Sequence, residues 1–285
     1  GTSFGEGSGA PDVFSQELED DYGFTQIFKT ACEMSNTARA TRYRGYEDEF
    51  QRIWNLKLRE HKVDIERAML FGQRASVGGI QYSEGIAGHI IKNGTANVGD
   101  TALSYSSGAP YFRSSTASEL TYDRLLSDFE VVYDPARGGG DSKLALASLP
   151  VITFFNKLGA DAFLNTTMQS GTSTAVNDVS NLRYNLSEKQ GSYGHRILSV
   201  DTIHGQMNLV KEPLFRGHAS GFLCMVDLDH VAYRPLVGNG VNRDTQIMTN
   251  VQSADEDLRK DMIMTEAGLE VSLPETHYLI NLEGV

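Results

Sequence analysis

Between Glu47 and Phe71 the positions Phe50, Ile53, Trp54, Leu58, His61, Ile65 and Ala68 recur at three- and four-residue spacings, the stripe of an amphipathic helix. Glu47, Asp48 and Glu49 crowd its start, where the helix dipole favours negative charge, and Gly72 offers the stop. About 25 residues rising about 1.5 Å each make a rod of roughly 37 Å, a scaffold element. Upstream, Phe24 to Arg44 alternates in two runs, FTQIFKTACEM and TARATRYR, with Ser35-Asn36 between them; the pattern predicts an extended hairpin or one kinked long strand. Near the other end Leu269, Val271 and Leu273 point one way while Glu270 and Ser272 point the other, the period of a half-buried strand. Pro274 cannot donate to a ladder, so that strand lies at an edge or is interrupted there.

The middle of the chain mixes both periods. A second helix is predicted over about Glu119 to Tyr133, capped by Ser118, with Leu120, Leu125, Leu126 and Phe129 as its face. Gly138 to Gly140 leads into a short buried strand, Leu144 to Ala147; Ser148 and Pro150 open a third helix that Gly159 ends. Strands follow at Arg196 to Ile203, Met207 to Val210, Phe222 to Val226 and Val231 to Leu236, with turns at His204-Gly205 and Asp227 to Asp229. Ser76 to Ser118 is rich in Gly, Ser, Thr and Asn and reads as loops and short strands anchored by Ile80, Ile86, Ile90, Ile91, Tyr111 and Phe112. Asp161 to Tyr193 is polar and without strong periodicity. Residues 1 to 22 are Gly-rich and then acidic, too poor in apolar side chains to build a core; they are loose or lie on another surface. The class is α+β.

Composition narrows the function. A formal charge of −12 over 285 residues argues against gripping DNA through its phosphates, and no apolar run approaches the ~20 residues of a membrane-spanning helix. Cys32 and Cys224, far apart, favour a reduced environment over a disulfide framework. The seven His residues show no HxH, HxxxH or HExxH spacing; His61 sits in the helix stripe, where packing is the better reading. Asp255, Asp257, Asp261 and Glu266 have the outline of a calcium loop, but Lys260 stands where its central Gly belongs. The better reading there is a charged bend tied by Arg259 and Lys260. GEGSG at Gly5 to Gly9 lacks the flanking strand and helix of a nucleotide site, and no GxSxG elbow or Walker loop occurs. No catalytic residue, cofactor or metal is expected.

The stretch TQIMTNVQSADEDLRKDMIMTEAGLEVSLPETHYLINLEGV, Thr245 to Val285, resembles the C-terminal signature of one group of tailed-phage major capsid proteins, NxQ followed by DxxxRKDxxxTEAGLEVxLPExH. FTQIFKTACEMSNTARA resembles the returning arm of that family's extended loop, and NLKLREHKVDIERAMLFGQRAS its long spine helix. YGHRILSVDTIHGQMNLVKEPLF and FLCMVDLDHVAYRPL resemble the paired strands ahead of the signature. The resemblance implies the Hong Kong 97-type capsid fold, with an extended E-loop, a long spine helix, a P-domain β-sheet and an α/β A-domain. Residues 1–46 would be the N-terminal segment and E-loop, 47–117 the P-domain with spine helix and Gly/Ser-rich region, 118–236 the A-domain and 237–285 the return to the P-domain. Residues 1 to 22 are too few for both the family's N-arm and the first E-loop strand, which is expected upstream of Gly1.

The implied function is a major capsid protein that self-assembles into pentamers and hexamers of an icosahedral shell. The shell would enclose double-stranded DNA without sequence-specific binding, be assembled in the host cytoplasm, and have portal, scaffold and decoration proteins as further partners. The alternatives are an encapsulin-like cellular nanocompartment shell and a soluble α/β enzyme. Some relatives of this fold cross-link Lys to Asn between subunits, and Lys29 lies on the arm, although no motif carries that chemistry here. Candidate inter-subunit ion pairs join the acidic start (Glu6, Glu17, Glu19, Asp20, Asp21) to the basic arm (Lys29, Arg42, Arg44). The competing reading is a solvated charged surface, where each pair adds only ~0–1 kcal/mol.

Overall fold

The structure, a computed structural model, describes residues 3, 5–9, 21–42, 44–45, 48–93, 95–98, 111–137, 139–168, 187–190 and 196–284. In chain order the elements are β1 (Gln26–Ser35), α1 (Asn36–Ala40), α2 (Glu49–Phe71), β2 (Ala75–Val77), β3 (Ile80–Tyr82), α3 (Ile86–Asn93), β4 (Thr95–Val98), β5 (Tyr111–Thr116), α4 (Tyr122–Val132), β6 (Ser142–Ala147), α5 (Leu149–Met168) and β7 (Ser187–Gln190). There follow β8 (Arg196–Asp201), β9 (Gln206–Lys211), β10 (Phe222–Val226), β11 (Val231–Pro235), β12 (Val237–Gly238), β13 (Val241–Asn242), β14 (Gln246–Met248), β15 (Leu258–Val271) and β16 (Tyr278–Glu283).

Two sheets organise these elements. A small antiparallel sheet runs β1-β15-β11, with β14 also on β15. A mixed eight-stranded sheet runs β4-β5-β16-β10-β6-β9-β8-β7, with β16–β5 and β6–β9 parallel. The alternation along β10 explains why the large sheet carries helices on both faces. Leu223 and Met225 enter one core with Leu125, Phe129 and Val132 of α4 and Val151, Ile152 and Phe155 of α5. Cys224 and Val226 enter a second core with Leu70 at the end of α2 and Ile86, Ala87 and Ile90 of α3.

The long helix forms as its periodicity predicts. The Asp48 side chain accepts from the Gln51 amide at 3.2 Å, and Gly72 closes the last turn on the Ala68 carbonyl. The helix is only partly covered: of its residues His61 and Leu70 alone are buried, and His61 is the one on the stripe. His61 bridges the helix to the sheet, with Nδ1 2.9 Å from Thr30 Oγ1 and Nε2 2.9 Å from Thr265 Oγ1. Burial lowers its pKa. His61→Ala removes both bonds and leaves the Thr265 hydroxyl only its 3.1 Å contact with Thr245 Oγ1, and the expected loss is about 1–3 kcal/mol in urea unfolding. An unchanged midpoint would show the bridge to be idle.

Several expectations change. TARATRYR does not continue the strand: Ser35 caps α1 by accepting from the Ala38 amide, and Ala38 and Ala40 favour helix where alternation alone suggested extension. The arm also has cover within its own chain, because β1 pairs with β15 over ten positions, Gln26↔Ala267 to Ser35↔Leu258. A helix, α3, occupies part of the stretch read as loops and short strands; its Ile86 and Ile90 are one helical turn apart and buried. α4 starts at Tyr122 with Thr121, not Ser118, at its cap position. α5 runs past Gly159 to Met168, a single Gly costing a helix only about 1 kcal/mol. Ser187–Gln190 of the polar stretch is a strand, while 169–186 and 191–195 lie outside the described residues.

At the C-terminus β15 is interior, between β1 on one side and β11 and β14 on the other, with Ile263 to Gly268 all buried. Leu273 is outside the strand, exposed and left-handed (φ 45°), and Pro274 opens a 3-10 turn. The interruption expected at Pro274 is therefore found, and the chain then crosses into the large sheet as β16, between β5 and β10.

Candidate functional site

Two tight hairpins put apolar side chains into water. In the β2–β3 hairpin, Val77 pairs with Ile80 across Gly78 (φ 58°) and Gly79 (φ 81°), and the two apolar residues are 65% and 59% exposed. In the β12–β13 hairpin, Asn239 (φ 50°) and Gly240 (φ 79°) make the turn between Gly238 and Val241, and Val237 and Val241 are 61% and 51% exposed. Both turns have positive φ at both central residues, the signature of the type I′ hairpin turn. Tyr233, Leu236 and Ile247, near the second hairpin in sequence, are exposed as well. Two-stranded hairpins are marginal alone in water, and grouped apolar side chains at such sites mark contact surfaces.

β1 repeats the theme. Phe28 and Cys32 are buried while Ile27, Lys29, Ala31 and Glu33 face outward, and among the described residues its second edge has no strand partner. A groove of about 530 Å³ runs beside it, lined by Ile27, Phe28, His61, Phe71 and Tyr82 among others.

The candidate charges fall out differently from their sequence pairing. Glu17, Glu19 and Asp20 lie outside the described residues. Asp21 is bound within its own chain, 2.6 Å from Arg74 and 3.5 Å from Lys92. Lys29 stands exposed on the outer row of β1; Arg42 and Arg44 are exposed beyond α1, and Glu6 is exposed too. Arg259 of the charged bend does not tie the bend to itself but pairs with Asp261 at 2.8 Å and lies over the Phe50 ring, while Lys260 reaches Glu33 of β1 at 3.1 Å. The bend is held instead by Glu256, which accepts from the Ser253 amide, and by Asn36 donating to Asp257.

Sequence reasoning missed two buried polar groups. Arg113 of β5 clasps Asp128 of α4 through Nε and Nη2, the second contact being 2.5 Å, and Tyr278 of β16 donates to the same carboxylate at 2.5 Å; all three side chains are fully buried. Beneath the Pro274 turn, Lys143 donates to the Thr276 carbonyl at 2.5 Å and lies 3.8 Å from Asp227. The Asp227 amide donates to His277 Nδ1 at 3.1 Å. Burial drops Lys143 to about 8 and His277 to about 4. Shifts of this kind accompany catalysis as well as packing, but Lys143, Asp227 and His277 are sealed from solvent at 1%, 3% and 0% exposure, so no substrate reaches them. Among the described residues no group of His, Cys, Asp or Glu is arranged to hold a metal ion.

The chemistry on view is that of surfaces that meet other surfaces. The mature capsid of bacteriophage PhiM1 superposes with a TM-score of 0.53 at 10% identity, over 98% of this chain and 79% of that one. The capsid protein of cyanophage A-1(L) gives 0.53 at 11% identity over 90% and 77%. The capsid of an empty GTA particle gives 0.52 at 9% identity over 99% and 80%. At such identities the likeness establishes the fold alone, and that fold is the Hong Kong 97-type. No curated protein matches by sequence. The profile of the SU10 major capsid protein family matches residues 2–283, and the chain belongs to that family: it is a major capsid protein of a phage, a structural component of the virion that associates with copies of itself to form the shell.

Proposed function

We propose that copies of this chain close into an icosahedral shell of pentamers and hexamers around double-stranded DNA. The observation that carries this reading is a family match over nearly the whole chain on a subunit that leaves two apolar hairpins uncovered. Repetition of modest contacts by symmetry turns such patches into a stable lattice. The charge of −12 suits a wall that holds DNA by enclosure, since it repels phosphates instead of neutralising them. In this reading residues 118–236 form the A-domain, residues 47–117 and 237–285 the P-domain, and assembly takes place in the host cytoplasm. Lys29, Arg42 and Arg44 meet acidic residues of neighbouring copies, with the Glu17, Glu19 and Asp20 stretch as their partner. Portal, scaffold and decoration proteins complete the particle.

Val237→Asp combined with Val241→Asp tests it. The expected result by negative-stain microscopy and sedimentation is loss of particles, with the thermal melt of the unassembled subunit unchanged because both side chains are already in water. Particles formed in wild-type yield would remove this hairpin from the assembly surface. Charge reversal at Arg44 is expected to lower particle yield most at low salt, where exposed charges act furthest. Particles filled with protein cargo and free of DNA would overturn the assignment of contents.

A further inference from the structure

Around the junction of α2, the β2–β3 hairpin and α3, five charged or titratable side chains converge. Glu84 lies at the bottom, 5% exposed, and its Oε2 has no hydrogen-bond partner. Three cationic or protonatable groups surround that oxygen: Arg74 Nε at 3.9 Å, His89 Nδ1 at 3.9 Å and Lys92 Nζ at 3.8 Å. These separations exceed hydrogen-bond range, so Glu84 supplies negative potential without using up the donors above it. Those donors go to the chain just ahead of β1. Arg74 Nη1 donates to Asp21 Oδ1 at 2.6 Å and to the Tyr22 carbonyl, its guanidinium lies over the Tyr22 ring at 4.5 Å, and Lys92 reaches Asp21 Oδ2 at 3.5 Å.

The base of this cluster is built by close backbone contact. A Cβ on Gly72 would meet the Ala68 and Ser83 carbonyl oxygens at 2.4 Å, and one on Gly85 would meet the Gly72 nitrogen at 2.7 Å. Only glycines let the end of α2 and the start of α3 come this near, and that approach buries Glu84 and brings Arg74 and Lys92 to one side. Burial keeps His89 on the neutral side. Arg74 and Lys92 over one Glu84 then leave a single positive charge unmatched, which one carboxylate neutralises.

We propose that Arg74 and Lys92, seated on Glu84, form a carboxylate-binding seat whose resident ligand is Asp21 of the same chain, and that its occupancy fixes the direction in which the acidic stretch ahead of β1 leaves the body. The Arg74 contact holds the Asp21 carboxyl down to about 2, so the ligand is charged across the neutral range. In a shell subunit this clasp selects which neighbouring surface the acidic stretch can reach. That consequence rests on the shell reading; the seat itself does not, because it is tested on the unassembled subunit.

The experiment is limited chymotrypsin cleavage at Tyr22 and Phe24, expressed as protection relative to an unfolded chain at low salt, in wild type, Asp21→Asn, Arg74→Gln and the double variant, with hydrogen exchange of the buried amides of β16 as the control for folding. Each single variant is expected to lose protection about fivefold, in keeping with a half-exposed ion pair, and the double variant to lose no more than Arg74→Gln alone. Wild-type protection in both singles, or losses that multiply in the double, would overturn the seat. Should Arg74→Gln unfold the control amides, Lys92→Gln with Asp21→Asn runs the same cycle, with the same two outcomes deciding.

Discussion

Asp128→Ala is expected to destabilise the unassembled subunit by about 3–5 kcal/mol, the penalty for removing one member of a buried ion pair. Arg113 is fully buried on β5, and its guanidinium faces the Asp128 carboxylate in a fork. Such bidentate pairs are the strong form of charge-assisted bond. The Tyr278 hydroxyl loses its acceptor in the same substitution, and burial beside Asp128 already raises its pKa well above the ordinary range. Because the three groups belong to β5, α4 and β16, their loss loosens the strand pair from the helix that covers it. Arg113→Met in the Asp128→Ala background should recover part of the stability, since replacing both partners by apolar groups removes the buried charge. Urea unfolding measures both. A loss under about 1 kcal/mol for Asp128→Ala would mean that water reaches the guanidinium.

Acid should weaken the subunit through His277. Its imidazole is buried and neutral, accepts the Asp227 amide at Nδ1, and has no partner at Nε2. Burial and then the nearby Lys143 charge press its pKa to about 4, against about 6.5 in an unfolded chain. Between those values the unfolded chain takes up the proton first. Stability is thus fully present above about pH 6.5 and falls as pH drops toward 4, by about 3 kcal/mol for this group. His61 and His89 are lowered by burial as well and add to the slope; Lys143, held at about 8, changes its contribution only above that pH. His277→Asn keeps an acceptor for the Asp227 amide and removes the titration. Its urea midpoint should therefore depend less on pH between 6.5 and 4 than that of wild type. Parallel pH profiles would remove His277 from the acid response.

What could be read from the residues follows from how each element is covered. α2 announced itself because only one stripe meets the body, so its polar and apolar faces separate cleanly. β9 and β10 were legible because each is a short apolar run between turns. α1 and α3 were not: the alternation in TARATRYR mimics a strand until Ser35 is seen as a cap, and Gly85 and Gly88 disguise IAGHIIKN. The span of β15 hid its partner, since pairing with β1 over ten residues is a long-range fact that neither segment encodes alone. The buried ions left a faint signal. Asp128 sits on the α4 stripe between Leu125 and Val132, where a lone carboxylate needs a cation, but nothing local points to Arg113. The TEAG run of the C-terminal signature, Thr265 to Gly268, is buried within the small sheet.

The passage of β15 into β16 has a mechanical consequence. One covalent thread leaves the middle of the small sheet, turns at Pro274 and enters the large sheet between β5 and β10, with Lys143 and Asp227 bonded to its Thr276 and His277. Tension applied along this thread meets two ladders at once, the antiparallel one to β10 and the parallel one to β5. A pull on the small sheet through Pro274 is thereby shared between two neighbouring strands.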